Sequence, residues 1–481
     1  MMDLFNTISK QNTIIFGKQS LEKYQNVIVP YLLKVVDNEE SFVVTDPEDV
    51  ILRQIGTKLK QEGYDIVSIN LRNPDNSNSW NPLYAAYEAY KNDDLDSCLE
   101  HLNSVATIIM LDDSAVRSSD PFWELSATDL FVGLALILFR EATDENQINM
   151  SSVYDMAQKG FSRFGASTII DSYLSDIIDG CQVARNVLSS VLSAPTDTRA
   201  SILSVFYQKI RAFTIKDKFL RNLCANDISF EGLIASKTAI FICYEDENSG
   251  SSSLVKILLR QLVDILIKSR DVLKTNEKQY HVVVSNFLSI GTFPEIDRFI
   301  SSCNNRHVNI VLDIYSVNAF YKLYGKDTAA FVFAYCSAWY ITATREIELQ
   351  ILINRFLKIT GRDGLQIKSV FDLMPNEVIV VRDGRDPKVE IISDIYSCET
   401  LYEFQCQNTR DTVTIFRFDD LVKEKKRDII FGSDVPNPFS SMPGGNGLNV
   451  DDLLVKIDRK IAALEVNEKI EKVTKSGLKN K

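Results

Sequence analysis

The first eighty residues alternate short apolar runs with amphipathic stretches. Runs of four mostly apolar residues at 13–16, 42–45 and 66–69 predict buried β-strands. Between the last two runs, residues 49–63 carry the helical period and end at Gly63, which is typical of a helix C-terminus. Strand, helix and strand at this spacing indicate the βαβ units of a parallel sheet.

The pattern changes between residues 82 and 226. No run typical of a strand occurs there, and apolar side chains recur at helical spacing, as in Leu130, Leu134 and Leu138. Strand-like runs resume at 238–243 and continue at 281–284, 308–312, 338–342 and 378–381, with edge strands predicted at 389–392 and 412–415. The chain is therefore predicted to be an α/β protein whose sheet domain contains an inserted all-α domain.

These changes of pattern set the predicted domain boundaries. Residues 1–83 and 236–431 form the two parts of the sheet domain, and residues 84–235 form the inserted all-α domain. Residues 432–447 are rich in Gly, Ser, Pro and Asn and are interpreted as a linker. Residues 448–481 begin with an apolar helical stripe and end in a lysine-rich tail. The stripe is predicted to pack on its own domain rather than on a partner, which is the second option.

Composition narrows the function classes. The 481 residues, with 45% hydrophobic and 25% charged side chains, are typical of a globular protein and sufficient for two domains. A net charge of -12 argues against DNA binding through the whole surface, but leaves one local basic patch open. Eight cysteines without a C-x-x-C pair and three distant histidines predict reduced, mostly buried thiols and no zinc site. The longest apolar run, Leu130 to Phe139, is too short for a membrane span, so no span is expected.

A first candidate site lies directly after the first predicted strand. Gly17 and Lys23 have the spacing of the P-loop pattern G-x-x-x-x-G-K-[ST], but Glu22 replaces the second glycine and Tyr24 replaces the hydroxyl residue. A P-loop binds phosphate through backbone N–H groups and its lysine, and its hydroxyl ligates Mg²⁺. An acidic side chain repels phosphate, and a phenol ring takes the space of the small hydroxyl group. The stretch is therefore predicted to be a degenerate nucleotide site.

A second candidate site follows the predicted strand near residue 284. A motor ATPase needs carboxylates at such a strand end to position the metal and the attacking water, whereas this chain has Ser285 and Asn286. Neither side chain supplies a negative charge or a general base, so no catalytic residue and no metal site are expected. The alternative is that residues 17–24 are only a turn and a polar helix start, because one glycine and one lysine are weak evidence.

Further short motifs follow one another along the chain. They are V-I-V-P-Y-L-L at 27–33, V-V-T-D-P at 43–47, W-N-P-L at 80–83, D-P-F-W-E at 120–124, T-R-A-S-I-L at 198–203 and F-L-S-I-G at 287–291. In order and spacing, this set resembles the coupling proteins of conjugative type IV secretion systems, the TraG/TraD class of hexameric DNA-transfer ATPases, and especially those of Firmicutes integrative elements.

That resemblance implies a RecA-like P-loop NTPase fold for the sheet domain. Lys23 and Tyr24 then align with the Walker A lysine and threonine, and Ser285 and Asn286 align with the two Walker B carboxylates. Tyr315 aligns with the sensor glutamine of the family. All of these nucleotide-handling positions except Lys23 therefore differ from the family pattern.

The leading hypothesis is a non-catalytic subunit, a pseudo-ATPase without a bound cofactor, for substrate recruitment or regulation in conjugative DNA transfer. The resemblance implies partners among conjugation or type IV secretion proteins, including an active coupling ATPase or a relaxosome protein, in homo- or hetero-oligomers. The expected location is the cytoplasm, with recruitment to the inner face of the membrane by partners.

Two alternatives are kept open. The first is a divergent but active DNA-transfer ATPase that binds ATP and Mg²⁺ through Lys23, with a carboxylate such as Asp46 or Glu245 assisting the metal. The second is an unrelated cytosolic interaction protein. The sequence leaves contact with DNA open.

Overall fold

The computed structural model describes residues 11–111, 120–164, 167–176, 181–214, 217–245, 249–272, 278–303, 306–362, 364–365, 367–392, 401–406 and 413–418. The predicted linker at 432–447 and the predicted C-terminal stripe at 448–481 lie outside the described residues. The domain boundaries given above stay a prediction.

The strands are β1 Thr13–Phe16, β2 Ser41–Thr45, β3 Asp65–Asn70, β4 Arg163–Phe164, β5 Ser167–Thr168, β6 Thr238–Cys243, β7 Tyr280–Val284, β8 Val308–Ile314, β9 Ala338–Ile341, β10 Glu377–Arg382 and β11 Lys388–Ile391. Nine of them form one sheet in the order β11-β10-β9-β1-β8-β7-β2-β6-β3, and β4 pairs with β5 in a separate hairpin. Pairing from β3 to β9 is parallel, and β10 and β11 add an antiparallel edge.

The helices begin with α1, a continuous helix made of Leu21–Lys23, the π-helical Tyr24–Ile28 and Val29–Asp37. The others are α2 Ile51–Gln61, α3 Tyr84–Lys91, α4 Leu95–Met110, α5 Phe122–Glu141, α6 Met150–Gly160, α7 Ile169–Asp176, α8 Gln182–Leu192, α9 Thr196–Ile210, α10 Asp217–Leu223, α11 Phe230–Ala235, α12 Ser249–Val272, α13 Ile296–Cys303, α14 Val317–Tyr335 and α15 Ile347–Ile359. Helices α3 to α11 lie between β3 and β6 in the chain, and we call them the helical region.

The sheet is buried on both faces. Along β1, Ile14 and Phe16 pack into one core, which extends into the helical region. Ile15 points to the opposite face and packs into a second core with residues of α1 and α2, including Leu32 and Ile55. Helices on both faces explain why the parallel strands appear in the sequence as continuous apolar runs. The fold is thus α/β, with a mostly parallel RecA-like sheet.

The predicted strands are confirmed at nine positions, with small shifts at their ends. The helix predicted over 49–63 is α2, and Gly63 follows it with a φ of +73°. The edge strand predicted at 412–415 is wrong for residues 413–415, which are described and lie in no strand. The hairpin of β4 and β5 contradicts the expectation of a purely helical insertion, because two-residue strands are too short to leave an alternating pattern.

The apolar run at Leu130 to Phe139 is part of α5, a helix of 20 residues. Among the described residues, this helix alone is long and apolar enough to cross a membrane, and 72% of its apolar window is buried inside the protein. Gly133 lets α8 approach closely, since a Cβ there would lie 2.3 Å from Leu188 Cγ. The apolar run is shorter than the helix that contains it, but its prediction as part of a buried helix is confirmed.

The cysteines behave as expected where they are described. Six are buried and Cys406 is partly exposed, and all seven are free thiols. Cys398 lies outside the described residues.

Candidate functional site

The turn after β1 is the first part of the candidate site. Gly17 has a φ of +141°, and a Cβ at this position would lie 1.9 Å from Thr342 Oγ1. Only glycine fits here, because a side chain would collide with the residue that follows β9. The chain then enters α1, so the order of strand, turn and helix is the one that a P-loop requires.

Lys23 ends the first turn of α1 with its side chain enclosed by the protein. Ser20 caps the helix, since its Oγ accepts the Lys23 backbone N–H at 3.2 Å. The Lys23 Nζ donates to the Gly17 carbonyl at 2.7 Å and forms an ion pair with Asp313 Oδ1 at 2.6 Å. Both charged side chains are 1% exposed. The ammonium group is therefore neutralised by a carboxylate of the same chain.

Asp313, at the penultimate position of β8, joins the two candidate sites. Its Oδ2 accepts the Asn286 backbone N–H at 3.1 Å. Asn286 has a φ of +51°, a left-handed conformation that asparagine tolerates well, and begins a 3₁₀ turn. The preceding Ser285 is fully buried, and its carbonyl accepts Thr45 Oγ1 at 3.0 Å. One aspartate thus links Lys23 to the turn after β7.

Tyr24 lies in the protein core and not at the surface of a cavity. It is 4% exposed and packs with the core that contains Ile15 and Val27. Burial raises the pKa of the Tyr24 phenol far above its ordinary value, and the carboxylates of Asp313 and Asp46 raise it further. The prediction that this ring takes the space of the small P-loop hydroxyl group stays a prediction.

A cavity of about 1000 Å³ opens beside this cluster. Its wall includes three of the predicted residues, namely the exposed Glu22, the buried Lys23 and Tyr315, which is 38% exposed. Its volume is at the upper end of the range for small-molecule sites. The predicted residues thus divide into a cavity wall and an interior cluster that contains Gly17, Tyr24, Ser285 and Asn286.

Glu346 occupies a second possible anion site in the cavity wall, which is the N-terminus of α14. The N-terminus of α14 faces Glu346, whose Oε1 accepts from Ser316 Oγ at 2.7 Å and from the Asn318 N–H at 3.0 Å. Its Oε2 accepts the Val317 N–H at 3.0 Å. A helix N-terminus attracts anions because its N–H groups lack partners within the helix. In this chain a carboxylate of the cavity wall already satisfies them.

Sequence reasoning missed Asp313 and Glu346. The signal for Asp313 is its position in the apolar run V-N-I-V-L-D-I, because a buried carboxylate is costly unless it is paired or hydrogen-bonded. Glu346 carries no comparable signal, since it follows β9 in a polar turn and its partners lie 28 to 30 residues earlier.

Asp46, considered above as an assistant for a metal, has a structural role. It is 1% exposed, and its two oxygens accept the backbone N–H groups of residues 50, 51 and 52 at 2.8 to 3.1 Å. Asp46 therefore caps α2. Burial raises its pKa to about 7, although the three hydrogen bonds oppose this shift. Ligand-type atoms of Asp46, Asp49 and Cys243 lie within 4.8 Å of one another, while Glu245 is not part of this group.

The strand order and the turn after β1 define a RecA-like P-loop NTPase fold. The family described as Type IV secretory system Conjugative DNA transfer matches residues 11–354. This match covers more than half of the chain, so the protein belongs to that family. The curated proteins contain no match to the chain.

Solved structures of this class are similar to the chain in fold. The bacterial conjugative coupling protein TrwB, in its unbound form, has 11% identity and a TM-score of 0.55, over 84% of this chain and 87% of TrwB. TrwB with a non-hydrolysable ATP analogue gives 10% identity and the same TM-score, over 84% and 88%. VirB4 of Thermoanaerobacter pseudethanolicus has 12% identity and a TM-score of 0.51, over 80% and 89%. At these identities the likeness shows the fold alone.

Proposed function

We propose that this protein is a non-catalytic subunit of a conjugative type IV secretion system, which recruits substrate or regulates transfer without hydrolysing ATP. The observation that carries the proposal is the buried ion pair of 2.6 Å between Lys23 and Asp313. The lysine in the position of the Walker A lysine already has a resident carboxylate as its counter-ion.

The energetics of this ion pair oppose nucleotide binding. A phosphate that recruits Lys23 must break the pair and leave Asp313 as a buried, uncompensated charge. Separating a buried pair in this way costs roughly 3–5 kcal/mol. Asp313 would in addition repel the incoming phosphate.

Two further features support the same conclusion. Glu346 occupies the N-terminus of α14, so this helix end offers no vacant anion site to the cavity. At the end of β7, Ser285 and Asn286 replace the carboxylates that would hold Mg²⁺ and orient a water molecule. ATP and Mg²⁺ therefore fit poorly among these residues.

The proposed partners follow from membership of the family. They are proteins of a conjugation or type IV secretion complex, such as an active coupling ATPase or a relaxosome protein. In this proposal the chain occupies an ATPase position in a mixed assembly, or binds substrate through its helical region, at the inner face of the membrane.

The decisive test is a steady-state ATPase assay of the purified full-length chain with Mg²⁺, with and without single-stranded DNA. We expect no Mg²⁺-dependent turnover above the buffer control. Turnover near 1 s⁻¹, at the lower end for phosphoryl-transfer enzymes such as kinases, would refute the proposal.

A variant of the site sharpens this test. In Glu22→Gly combined with Asp313→Asn, Lys23 has lost its carboxylate and the cavity wall has lost one negative charge. ATP should therefore raise the melting temperature of this variant and leave that of the wild type unchanged. Glu22→Gly alone, in which Lys23 keeps its ion pair with Asp313, is the matched control.

The second candidate function is a divergent, active ATPase. The cavity of about 1000 Å³ favours it, because the cavity has room for a nucleotide and is lined by Lys18 and Ser20. Calorimetric titration distinguishes the two functions. Micromolar ATP binding by the wild type that is lost in a folded Lys23→Met variant would support the ATPase.

A further inference from the structure

Residues 413–418 lie against the helical region, and none of them lines the cavity. The Thr414 carbonyl accepts Asn149 Nδ2 at 2.8 Å, and the Phe416 N–H donates to Ser152 Oγ at 2.9 Å. These contacts join positions more than 260 residues apart in the chain. The segment is thus held through its backbone by side chains of the helical region.

The two side chains that bind the segment are rigidly placed. Asn149 and Ser152 are both 0% exposed, and Asn149 caps α6 by accepting the Ser152 N–H at 3.0 Å. The Ser152 hydroxyl also donates to Asn149 Oδ1 at 3.3 Å, which leaves its oxygen free to accept the Phe416 N–H. Two buried polar side chains that hydrogen-bond to a peptide backbone can bind a segment through its main chain.

Alternate side chains of the segment point into the protein. Phe416 is 6% exposed and Phe418 is 0% exposed, whereas Ile415 is 42% exposed and Arg417 is also exposed. Inward and outward side chains thus alternate along residues 415–418. Two buried phenylalanines separated by one residue therefore anchor the segment.

The inner phenylalanine occupies a shaped pocket. The Phe418 ring lies edge-on to Tyr173, with centroids 5.1 Å apart and an interplanar angle of 65°. Gly160 forms another wall, since a Cβ there would lie 3.5 Å from Phe418 and 3.6 Å from Ile170. We call the surface formed by Asn149, Ser152, Gly160, Ile170 and Tyr173 the peptide groove.

The groove and its occupant differ in their relation to the family. The groove lies within residues 11–354, which match the family, and the occupant lies beyond them. The occupant is also small, with two observed backbone hydrogen bonds and two buried rings. Their gain is largely offset by the entropy of ordering the segment, so a competing peptide of the same kind can displace it.

We propose that the peptide groove binds peptide segments of the form Phe-x-Phe. Residues 413–418 are its internal ligand, and a partner protein with such a segment binds the helical region by displacing them. This inference is independent of the proposed loss of ATPase activity, because no residue of the groove lines the cavity.

The test uses a fluorescent peptide with the sequence of residues 411–420 and the full-length chain carrying Phe416→Ala and Phe418→Ala. Fluorescence anisotropy should show binding with a Kd on the order of 10 μM. Binding to the wild type should be at least tenfold weaker, because the tethered segment competes at an effective concentration of about a millimolar. Failure of the peptide to bind the folded double variant at 500 μM, about fifty times the expected Kd, overturns the proposal.

Changes to the groove and to the peptide provide a second test of binding. Ser152→Ala, added to the double variant, should weaken binding roughly three- to tenfold, because one backbone hydrogen bond is lost. Ser193→Ala is the control, since that hydroxyl bonds to the Ser189 carbonyl within another helix. A peptide with both phenylalanines replaced by alanine should not bind. Equal affinity for both peptides would overturn the proposal.

A third measurement applies if the double variant fails to fold. A protease site placed after Asn408 allows the full chain to be cut after folding. Excess unlabelled peptide should then release the C-terminal fragment, which size-exclusion chromatography detects. A fragment that stays bound at every peptide concentration would mean that the groove is a permanent clamp, and this would overturn the proposal.

Discussion

Asp313 and Asp46 are two buried aspartates at the same edge of the sheet, but the protein compensates their charges differently. Each is 1% exposed, and each lies near the carboxyl end of a parallel strand, β8 or β2. Asp313 is paired with the ammonium group of Lys23, whereas Asp46 accepts three backbone N–H groups of α2. Tyr24 lies close enough for both carboxylates to raise its pKa.

The difference shows what a cation contributes at this edge. Backbone dipoles compensate the Asp46 carboxylate only partly, so burial raises its pKa to about 7. The Lys23 ammonium compensates Asp313 with a full positive charge at 2.6 Å. The pairing of Asp313 therefore neutralises the lysine charge within the protein, while the capping of Asp46 leaves a carboxyl group whose charge responds to pH.

The largest expected effect comes from breaking the ion pair. Asp313→Asn keeps an acceptor for the Asn286 N–H but leaves the Lys23 charge buried and uncompensated. We expect a loss of roughly 3–5 kcal/mol in the free energy of unfolding, measured from urea denaturation.

A double-mutant cycle tests whether this loss belongs to the pair. Lys23→Met alone should be similarly destabilising, and the combination with Asp313→Asn should recover most of the stability because both charges are gone. Single variants within about 0.5 kcal/mol of the wild type would show that the pair is not formed in solution.

The second effect is the pH response of Asp46. An unfolded aspartate has a pKa of about 3.9, so between this value and about 7 the folded state retains a proton that the unfolded state releases. Stability from this group therefore falls as the pH rises from 4 to 7, by at most about 1.4 kcal/mol per pH unit.

Asp46→Asn removes this titration. Urea midpoints at four pH values between 4.5 and 7.5 should decline less steeply for the variant than for the wild type, apart from a constant offset for a weakened cap. Asp37→Asn, at a surface carboxylate paired with Lys58, is the control. Parallel pH profiles for Asp46→Asn and the wild type would contradict the assignment.

The contrast also explains what could be predicted from the sequence. The strands were predictable because β1 and β6 are largely apolar on both faces, and α2 because its period and Gly63 are local signals. The spacing of Gly17 and Lys23 identified the turn. The partner of Lys23 could not be found in this way, because Asp313 lies 290 residues further along the chain and such pairing leaves no periodic trace. The groove for Phe418 escaped prediction for the same reason.

The smallest expected effect concerns Glu346, a third carboxylate at this edge. It is partly exposed and compensates the N-terminus of α14, so Glu346→Ala should cost about 1 kcal/mol. The variant should also gain an anion site, because the N–H groups of Val317 and Asn318 lose their acceptor. Millimolar sulfate should then raise the melting temperature of Glu346→Ala but not that of the wild type. Glu348→Ala, in the first turn of α15, controls for the lost charge. An equal sulfate response of both variants and the wild type would mean that Glu346 does not occupy this helix end, and the cavity would then keep one vacant anion site.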